Sequence, residues 1–148
     1  MKNFSRRQFI GASSSAFAFQ FLPSRVWGAN ERINVAGIGV GGKGTADVAS
    51  AANAGANIVA LCDVDTVRGA KSIKAFSKAK VYSDFREMLD KQKDIDAVTI
   101  SAPDHIHAVA ATAAMDLGKH IYCQKPLTHS IHEARVLTEA AAKNKLVT

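Results

Sequence analysis

Residues 33–42 read Ile-Asn-Val-Ala-Gly-Ile-Gly-Val-Gly-Gly, a β-branched run that passes directly into glycines. The run predicts a buried strand, and the small residues that follow from 43 to 54 predict a helix. Gly37, Gly39 and Gly42 match the spacing G-x-G-x-x-G at this strand-to-helix junction. In that motif the first glycine permits a tight turn, the second lets a pyrophosphate approach the backbone, and the third lets the helix pack against the strand. The stretch therefore predicts a dinucleotide-binding loop.

An acidic residue follows the next predicted strand, residues 57–62. This residue, Asp63, lies 21 residues beyond Gly42, where a carboxylate can accept hydrogen bonds from the hydroxyls of an adenosine ribose. A carboxylate also repels a ribose 2′-phosphate, so the sequence favours NAD over NADP as the cofactor. Arg68 could pair with such a phosphate, but its place in a predicted helix favours a solvent-facing role. The cofactor-binding residues predicted from this half of the chain are Gly37, Gly39, Val40, Gly41, Gly42 and Asp63.

The same glycines nearly match the phosphate-binding P-loop of nucleotide hydrolases. Gly37, Gly42 and Lys43 fit the pattern G-x-x-x-x-G-K, but Gly44 stands where that motif needs a Ser or Thr to bind Mg²⁺. Thr45 comes one position too late. Glycines that only form a turn would not explain Asp63, so the dinucleotide interpretation is favoured over both alternatives.

Short apolar runs and helical patterns alternate along the rest of the chain. Strands are predicted at 33–38, 57–62, 81–82, 96–100 and 120–123, with a sixth beginning at 146–147, and helices at 43–54, 66–76, 85–89, 105–117 and 130–142. Strands that are apolar on both faces need helices on both sides of the sheet. The predicted fold class is therefore α/β, a doubly wound parallel sheet of the Rossmann-like type. The strand order 3-2-1-4-5 would keep Cys62 and Cys123 too far apart for a disulfide.

Two further segments follow the fourth and fifth predicted strands. Residues 101–107 read Ser-Ala-Pro-Asp-His-Ile-His, and residues 123–126 read Cys-Gln-Lys-Pro. Parallel sheets of this type bind ligands at the carboxyl ends of their strands, so these segments add the predicted cofactor contacts Ser101, Pro103, His105, Gln124 and Lys125. Asp104 could instead cap the following helix. The two histidines lack a third ligand at a fixed spacing, so no metal site is predicted.

Four features in this order resemble the amino-terminal half of the Gfo/Idh/MocA oxidoreductases, over residues 32–148. They are the glycine loop, the strand end Leu61-Cys62-Asp63-Val64-Asp65, the segment Pro103-Asp104-His105 and the pair Lys125-Pro126. Members of that family typically have Glu-Lys-Pro at the last position, with the lysine directed toward the nicotinamide and the substrate hydroxyl. The resemblance therefore implies that Lys125 is catalytic. Gln124 departs from the usual acid and leaves Lys125 without a negative neighbour.

The resemblance implies hydride transfer between a nicotinamide cofactor and the hydroxyl of a small sugar or polyol. Two alternatives stay open: an exported NAD-dependent glycosidase of the same superfamily, and a non-catalytic nucleotide-binding module. The second, α+β domain of the family is absent from this sequence. We therefore expect the chain to be an incomplete amino-terminal part of a longer, homo-oligomeric enzyme and to be inactive alone.

The first 29 residues differ in chemistry from the rest. They hold five of the seven phenylalanines and four basic residues with no acidic one, which leaves only +2 of the net charge of +6 for the remainder. A nucleic-acid partner is therefore not predicted. Arg6-Arg7 followed by the uncharged residues 8–24 resembles a twin-arginine export signal, and this stretch is too short and too polar for a stable membrane anchor. We expect a signal peptide at 1–29, the domain at 30–148, and export to the periplasm.

Overall fold

Strands and helices alternate along residues 32–148, the part of the chain that the computed structural model describes. The elements are β1 (Asn34–Ile38), α1 (Lys43–Asn53), β2 (Asn57–Cys62), α2 (Thr66–Ala75), β3 (Lys80–Tyr82), α3 (Phe85–Lys91), β4 (Ala97–Ile100), α4 (Asp104–Asp116), β5 (His120–Cys123) and α5 (Ile131–Asn144). The predicted signal peptide at 1–29 lies outside the described residues.

The five strands form one sheet in the order β3-β2-β1-β4-β5, and every neighbouring pair is parallel. This confirms the predicted doubly wound α/β fold and its strand order. The register pairs Ile38 with Cys62 on one side and with Ile100 on the other, and Ile100 with Cys123. The segments that follow these strands are therefore brought to a single edge of the sheet.

The core lies on both faces of the sheet. The larger cluster joins the sheet to α3, α4 and α5 and includes Met88, Ile100 and Met115, whose exposures are 2% or less. The smaller cluster contains Val40, Val48, Leu61 and Ala79, with partly buried residues of α2 packed against it. Helices thus cover both faces, which is the arrangement that two-sided apolar strands require.

Side-chain caps set the starts of three helices. Asp65 accepts hydrogen bonds from the amides of Val67 and Arg68 at the start of α2. Asp84 caps α3 as predicted, and Ser130 forms a capping box with Glu133 at the start of α5. Asp104 does not cap α4. Pro103 occupies that position, and the Asp104 carboxylate accepts a hydrogen bond from the next amide, that of His105, within the first turn.

The expected sixth strand at 146–147 is wrong. After α5, Lys145 adopts a left-handed conformation with φ 53°, which turns the chain back toward β5. There the carbonyl of Val147 accepts a hydrogen bond from the Ile121 amide at 3.0 Å, and the Val147 amide donates to Nδ1 of His120. One backbone bond does not make a ladder, so the sheet described in residues 32–148 has five strands. None of the helices in this part of the chain is long and apolar enough to span a bilayer.

Candidate functional site: a cleft at the carboxyl edge of the sheet

A cleft of about 830 Å³ lies at the carboxyl edge of the sheet. It is lined by the segments that follow β1, β2, β3 and β4. Seven of the predicted cofactor-binding residues line it, namely Gly39, Gly41, Gly42, Asp63, Ser101, Pro103 and His105. The structure thus brings together residues that are up to 66 positions apart in the sequence.

The glycine loop presents its backbone to this cleft. Gly39 has φ 74°, and a Cβ atom placed there would lie 2.6 Å from the amide nitrogen of Ala102, so no side chain fits. Gly42 has φ 54° and forms the N-cap of α1 without any side-chain hydrogen bond to the helix amides. The Gly44 amide donates to the Gly41 carbonyl at 3.0 Å, and no side chain caps the other amides of the first turn, which are available to an anionic group, the usual arrangement for a phosphate at a helix start.

The close packing of the helix against the loop occurs at Gly44, a residue that the sequence analysis did not assign to the site. A Cβ on Gly44 would overlap the carbonyl oxygen of Gly39, whereas a Cβ on Gly42 would meet only the Arg68 guanidinium, at 3.8 Å. The packing role predicted for Gly42 therefore belongs to Gly44, and Gly42 serves the left-handed turn. The sequence signals this packing role by a further glycine, Gly44, two residues after the G-x-G-x-x-G motif ends.

Two residues of the predicted loop support the cleft from beneath. Val40 is 1% exposed and packs in the smaller core cluster, while its carbonyl accepts hydrogen bonds from Ser72 Oγ at 2.6 Å and Thr45 Oγ1 at 3.0 Å. A Cβ on Gly37 would lie 2.8 Å from methyl groups of both Val40 and Val48. These two positions fix the path of the loop and do not line the cleft.

The Asp63 carboxylate is held in place by two backbone amides. Its Oδ2 accepts from the Gly41 amide at 2.9 Å, and its Oδ1 accepts from the Asp65 amide at 3.0 Å. The end of β2 is thereby tied to the glycine loop. Each carboxylate oxygen retains a second lone pair, so Asp63 can still accept hydrogen bonds from the hydroxyls of a ligand.

Cationic and aromatic groups line the cleft near Asp63, and sequence reasoning did not assign them to the site. Arg68 was interpreted as solvent-facing, but it lines the cleft. Phe85 and Arg86 also line it, with the guanidinium carbon 5.1 Å from the ring centroid. Hydrogen bonds from the backbone and side chain of Arg86 lower the pKa of Asp84. This ion pair holds the guanidinium over the ring, which gives the cleft a flat wall.

A buried carboxylate lies at the opposite end of the edge. Asp47 of α1 is 6% exposed and accepts hydrogen bonds from Lys43 Nζ at 2.5 Å and Ser101 Oγ at 2.7 Å. Its burial opposes ionisation, but hydrogen bonds from Lys43, Ser101 and Gln124 and the charge of Lys43 outweigh it, so the pKa of Asp47 is lowered. Asp47 is thus a buried anion that joins α1 to the ends of β4 and β5.

Gln124 and Lys125 lie at the end of β5, beside the residues that line the cleft. The Gln124 amide donates to the Ile100 carbonyl at 2.9 Å, and the Gln124 side-chain oxygen lies 3.4 Å from the Lys125 amide. The Gln124 side chain lies close enough to Asp47 to help lower the pKa of that carboxyl, after the larger effects of Lys43 and Ser101. The negative group nearest to Gln124 is Asp47, which pairs with Lys43, and the ion pairs described for residues 32–148 do not include Lys125. The Lys125 side chain is exposed.

Both cysteines are free thiols. Burial, with a smaller effect of nearby Asp84 and Asp63, raises the pKa of Cys62 to about 12, and burial raises that of Cys123 to about 11. Both thiols are thus protonated at neutral pH and poor nucleophiles. Within residues 32–148, no three His, Cys, Asp or Glu side chains come together as a metal site would require.

The model of an oxidoreductase family with an NAD-binding Rossmann fold matches residues 32–148. The chain belongs to the Gfo/Idh/MocA oxidoreductase family. A nicotinamide dinucleotide is the cofactor of that family fold, and the cleft fits one: glycine backbone lines it, the start of α1 has no side-chain cap, and Asp63 faces the loop as a fixed acceptor.

Several relatives of this Gfo/Idh/MocA domain are known. An inositol 2-dehydrogenase of Salmonella typhimurium is 31% identical over 110 residues, which cover 72% of this chain and 32% of that protein. A glycosyl hydrolase family 109 protein of Stenotrophomonas maltophilia is 31% identical over 131 residues, covering 80% of this chain and 29% of that protein. The crystal structure of myo-inositol 2-dehydrogenase from Lactobacillus plantarum has a TM-score of 0.70 at 25% identity, covering 77% of this chain and 34% of that one. The chain spans about a third of the length of these relatives.

Replacing Gly44 by alanine should disrupt the glycine loop. The new methyl group would overlap the Gly39 carbonyl, and relieving that overlap must move the loop backbone away from α1. We expect NAD affinity to fall at least about tenfold, measured by calorimetry. The control is Gly55→Ala in an exposed turn, where φ is +100° and nothing lies within 4 Å of the new methyl. It should lose stability through backbone strain but keep its NAD affinity; equal affinities in folded Gly44→Ala and unmodified protein would contradict the assignment.

Replacing Gln124 by glutamate should place a second carboxylate against Asp47. The like charges raise the pKa of one carboxyl in the folded state above its unfolded value, so the folded protein binds the extra proton more tightly. The resulting destabilisation should be about 1–3 kcal/mol at pH 7 and should shrink as the pH falls toward 5, measured by urea unfolding. Adding Asp47→Asn should relieve it, because the repulsive partner is then gone. A loss that does not depend on pH, or that persists in the double variant, would show that the two side chains do not interact.

Proposed function

We propose that the full-length protein is an NAD-dependent dehydrogenase that oxidises a hydroxyl group of a sugar or polyol. The observation that carries the proposal is the Asp63 carboxylate, fixed by the Gly41 and Asp65 amides at the rim of a cleft whose floor is the glycine loop. The sugar or polyol substrate is supported by the names of two relatives of the chain, the inositol 2-dehydrogenase of Salmonella typhimurium and the myo-inositol 2-dehydrogenase of Lactobacillus plantarum.

Different residues of the cleft bind different parts of the cofactor. The uncapped start of α1, together with the glycine backbone that lines the cleft, binds the pyrophosphate, and Asp63 accepts hydrogen bonds from the adenosine ribose. The Phe85–Arg86 wall provides a flat surface for the adenine base. When bound, the nicotinamide ring supplies the hydride acceptor.

Lys125 is the catalytic residue in this proposal. It follows β5 at the same edge of the sheet, beside the end of β4, where Ser101 donates to Asp47. A lysine amine at this place orients the substrate hydroxyl by a hydrogen bond and polarises it as the hydride leaves the carbon. Its exposed side chain is accessible to a substrate that enters from solvent.

The lysine role predicts a kinetic effect. With the intact protein, NAD and myo-inositol as the probe polyol, Lys125→Ala should lower kcat by about 10²-fold or more, since general acid–base groups contribute typically 10²–10⁴-fold. The affinity for NAD should change less than about threefold, because the glycine loop and Asp63 remain. Lys143→Ala, an exposed substitution on α5, serves as the control and should have no effect on either quantity. Near-normal turnover of Lys125→Ala would refute the assignment.

We propose further that the cofactor is NAD and not NADP. Asp63 repels a 2′-phosphate, whereas Arg68, also in the cleft, attracts one. Asp63 is the group already fixed toward the glycine loop, so its repulsion should dominate, and we expect NAD to bind at least about tenfold more tightly than NADP. Asp63→Ser should narrow that ratio because Arg68 then acts unopposed; Asp90→Ser on the exposed face of α3 should leave it unchanged. Equal or tighter NADP binding by the unmodified protein, measured by fluorescence titration, would overturn this choice.

A second candidate function is favoured by one relative, the glycosyl hydrolase family 109 protein of Stenotrophomonas. In an NAD-dependent glycosidase, oxidation would be transient and the cofactor would be regenerated. The two functions therefore differ in products: a dehydrogenase accumulates NADH from a free polyol, and a glycosidase releases sugar from a glycoside without net NADH. Incubating the intact protein with both substrate types separates them.

We also propose that residues 1–29 act as a twin-arginine export signal. A protein that carries a cofactor made in the cytoplasm must acquire it before export, and a translocase for folded proteins permits this. The double variant Arg6→Lys, Arg7→Lys of the full-length protein should remain in the cytoplasm, as measured by cell fractionation. Normal periplasmic levels of this variant would exclude the twin-arginine route.

A further inference from the structure

A buried histidine links two segments of the site. His107 of α4 is 2% exposed, and both of its ring nitrogens contact backbone carbonyl oxygens at 2.8 Å. Nδ1 contacts the carbonyl of Pro126, and Nε2 contacts the carbonyl of Ala102. In the sequence, His107 is one of two nearby histidines for which no third metal ligand at a fixed spacing is present.

The ring can donate a hydrogen bond to either carbonyl. A carbonyl oxygen only accepts hydrogen bonds, and a neutral imidazole donates from one of its two nitrogens. The tautomer decides which carbonyl receives the proton, but the ring contacts both carbonyls at 2.8 Å in either case. A buried ring in this place therefore fixes the separation of the two carbonyls.

The two carbonyls belong to the two halves of the proposed site. Ala102 lines the cleft between Ser101 and Pro103, and Pro126 directly follows Lys125. One rigid ring therefore sets the spacing between the wall of the cofactor cleft and the segment that carries the lysine. On the other side of Lys125, the Gln124 amide donates to the Ile100 carbonyl at 2.9 Å, and the Gln124 side chain lies near Asp47.

We propose that His107 is a positioning residue that holds Lys125 at its working distance from the cofactor cleft. This role rests on the proposed function, since it is exerted through the lysine. The contacts described for the ring are with the carbonyls of Ala102 and Pro126, one on each of the two segments that it joins.

The contacts of the ring can be tested on the unmodified chain. In a ¹⁵N-labelled sample, a His107 ring N–H proton should exchange slowly with solvent, and the ring should show nuclear Overhauser contacts to the residues around the Ala102 and Pro126 carbonyls. A His107 ring proton that exchanges as fast as that of exposed His132, without those contacts, would overturn the proposal. This measurement involves no substrate or cofactor, so its failure is distinct from a failure of the proposed function.

The positioning role is tested by His107→Gln, with His132→Gln on the exposed start of α5 as the control. A glutamine amide donates from a single nitrogen group, so it cannot bond to both carbonyls at the histidine spacing. With the intact protein, NAD and myo-inositol, kcat should fall at least about tenfold, whereas NAD affinity should change less than about threefold, since a displaced lysine affects the reaction more than cofactor binding. In the 148-residue chain, the amide resonances of Lys125, Leu127 and Thr128 should shift while those of β2 and β3 stay in place.

Unchanged kcat in folded His107→Gln, or unchanged resonances at 125–128, would overturn the positioning role. If the intact protein oxidises no polyol, the resonance shifts still decide whether His107 places the lysine segment. If His107→Gln does not fold, the ring-proton exchange and the ring contacts of the unmodified chain decide the proposal.

Discussion

The site depends on one steric constraint. The glycine loop passes so close to the segment after β4 and to the start of α1 that no side chain fits at Gly39 or Gly44. At Gly39, backbone contacts backbone so closely that a Cβ would lie 2.6 Å from the Ala102 amide nitrogen, and the carbonyl of the same residue leaves no room for a Cβ on Gly44. On this path the Gly39 amide donates to the Cys62 carbonyl and the Gly41 amide to Asp63, so the loop is also tied to the end of β2. The hydroxyls of Ser72 and Thr45 then hold the loop from the core side through the Val40 carbonyl.

Asp63 and Asp47, two carboxylates at the carboxyl edge of the sheet, lie in opposite environments. Asp63 lies at the rim, where backbone amides fix its oxygens and leave it able to accept hydrogen bonds from a ligand. Asp47 is buried, and its charge is balanced by Lys43 and by donors from the ends of β4 and β5. The first carboxylate can therefore recognise a ligand, whereas the second organises the protein. A buried anion of this kind keeps its partners in place because leaving any of them unpaired would be costly.

The strands, their order, the glycine loop and Asp63 could be predicted from the sequence because each depends on local pattern or on fixed spacing. Gly44 could not, because its importance comes from the carbonyl of Gly39, which the loop brings back against the helix. Asp47 was missed since an acid within a helix of small residues reads as solvent-exposed, and only the partners from β4 and β5 show why it is buried. The sixth strand was predicted from two apolar residues, but strand formation needs a ladder, and only one backbone bond joins Val147 to β5.

Lys125 illustrates how a reactive side chain can be placed without being restrained itself. Gln124, the residue before it, donates a backbone hydrogen bond to the Ile100 carbonyl, and its side chain lies near Asp47. The carbonyl of Pro126, the residue after it, is contacted by His107. Hydrogen bonds and ion pairs described for residues 32–148 do not involve the Lys125 ammonium. Restraining the neighbours therefore fixes the origin of the side chain while its donors stay available to a substrate. The negative charge at Asp47 favours a neutral amide at position 124, because a carboxylate there would repel it. Gln124 is thus explained by its partner on α1, which the sequence around Lys125 alone does not reveal.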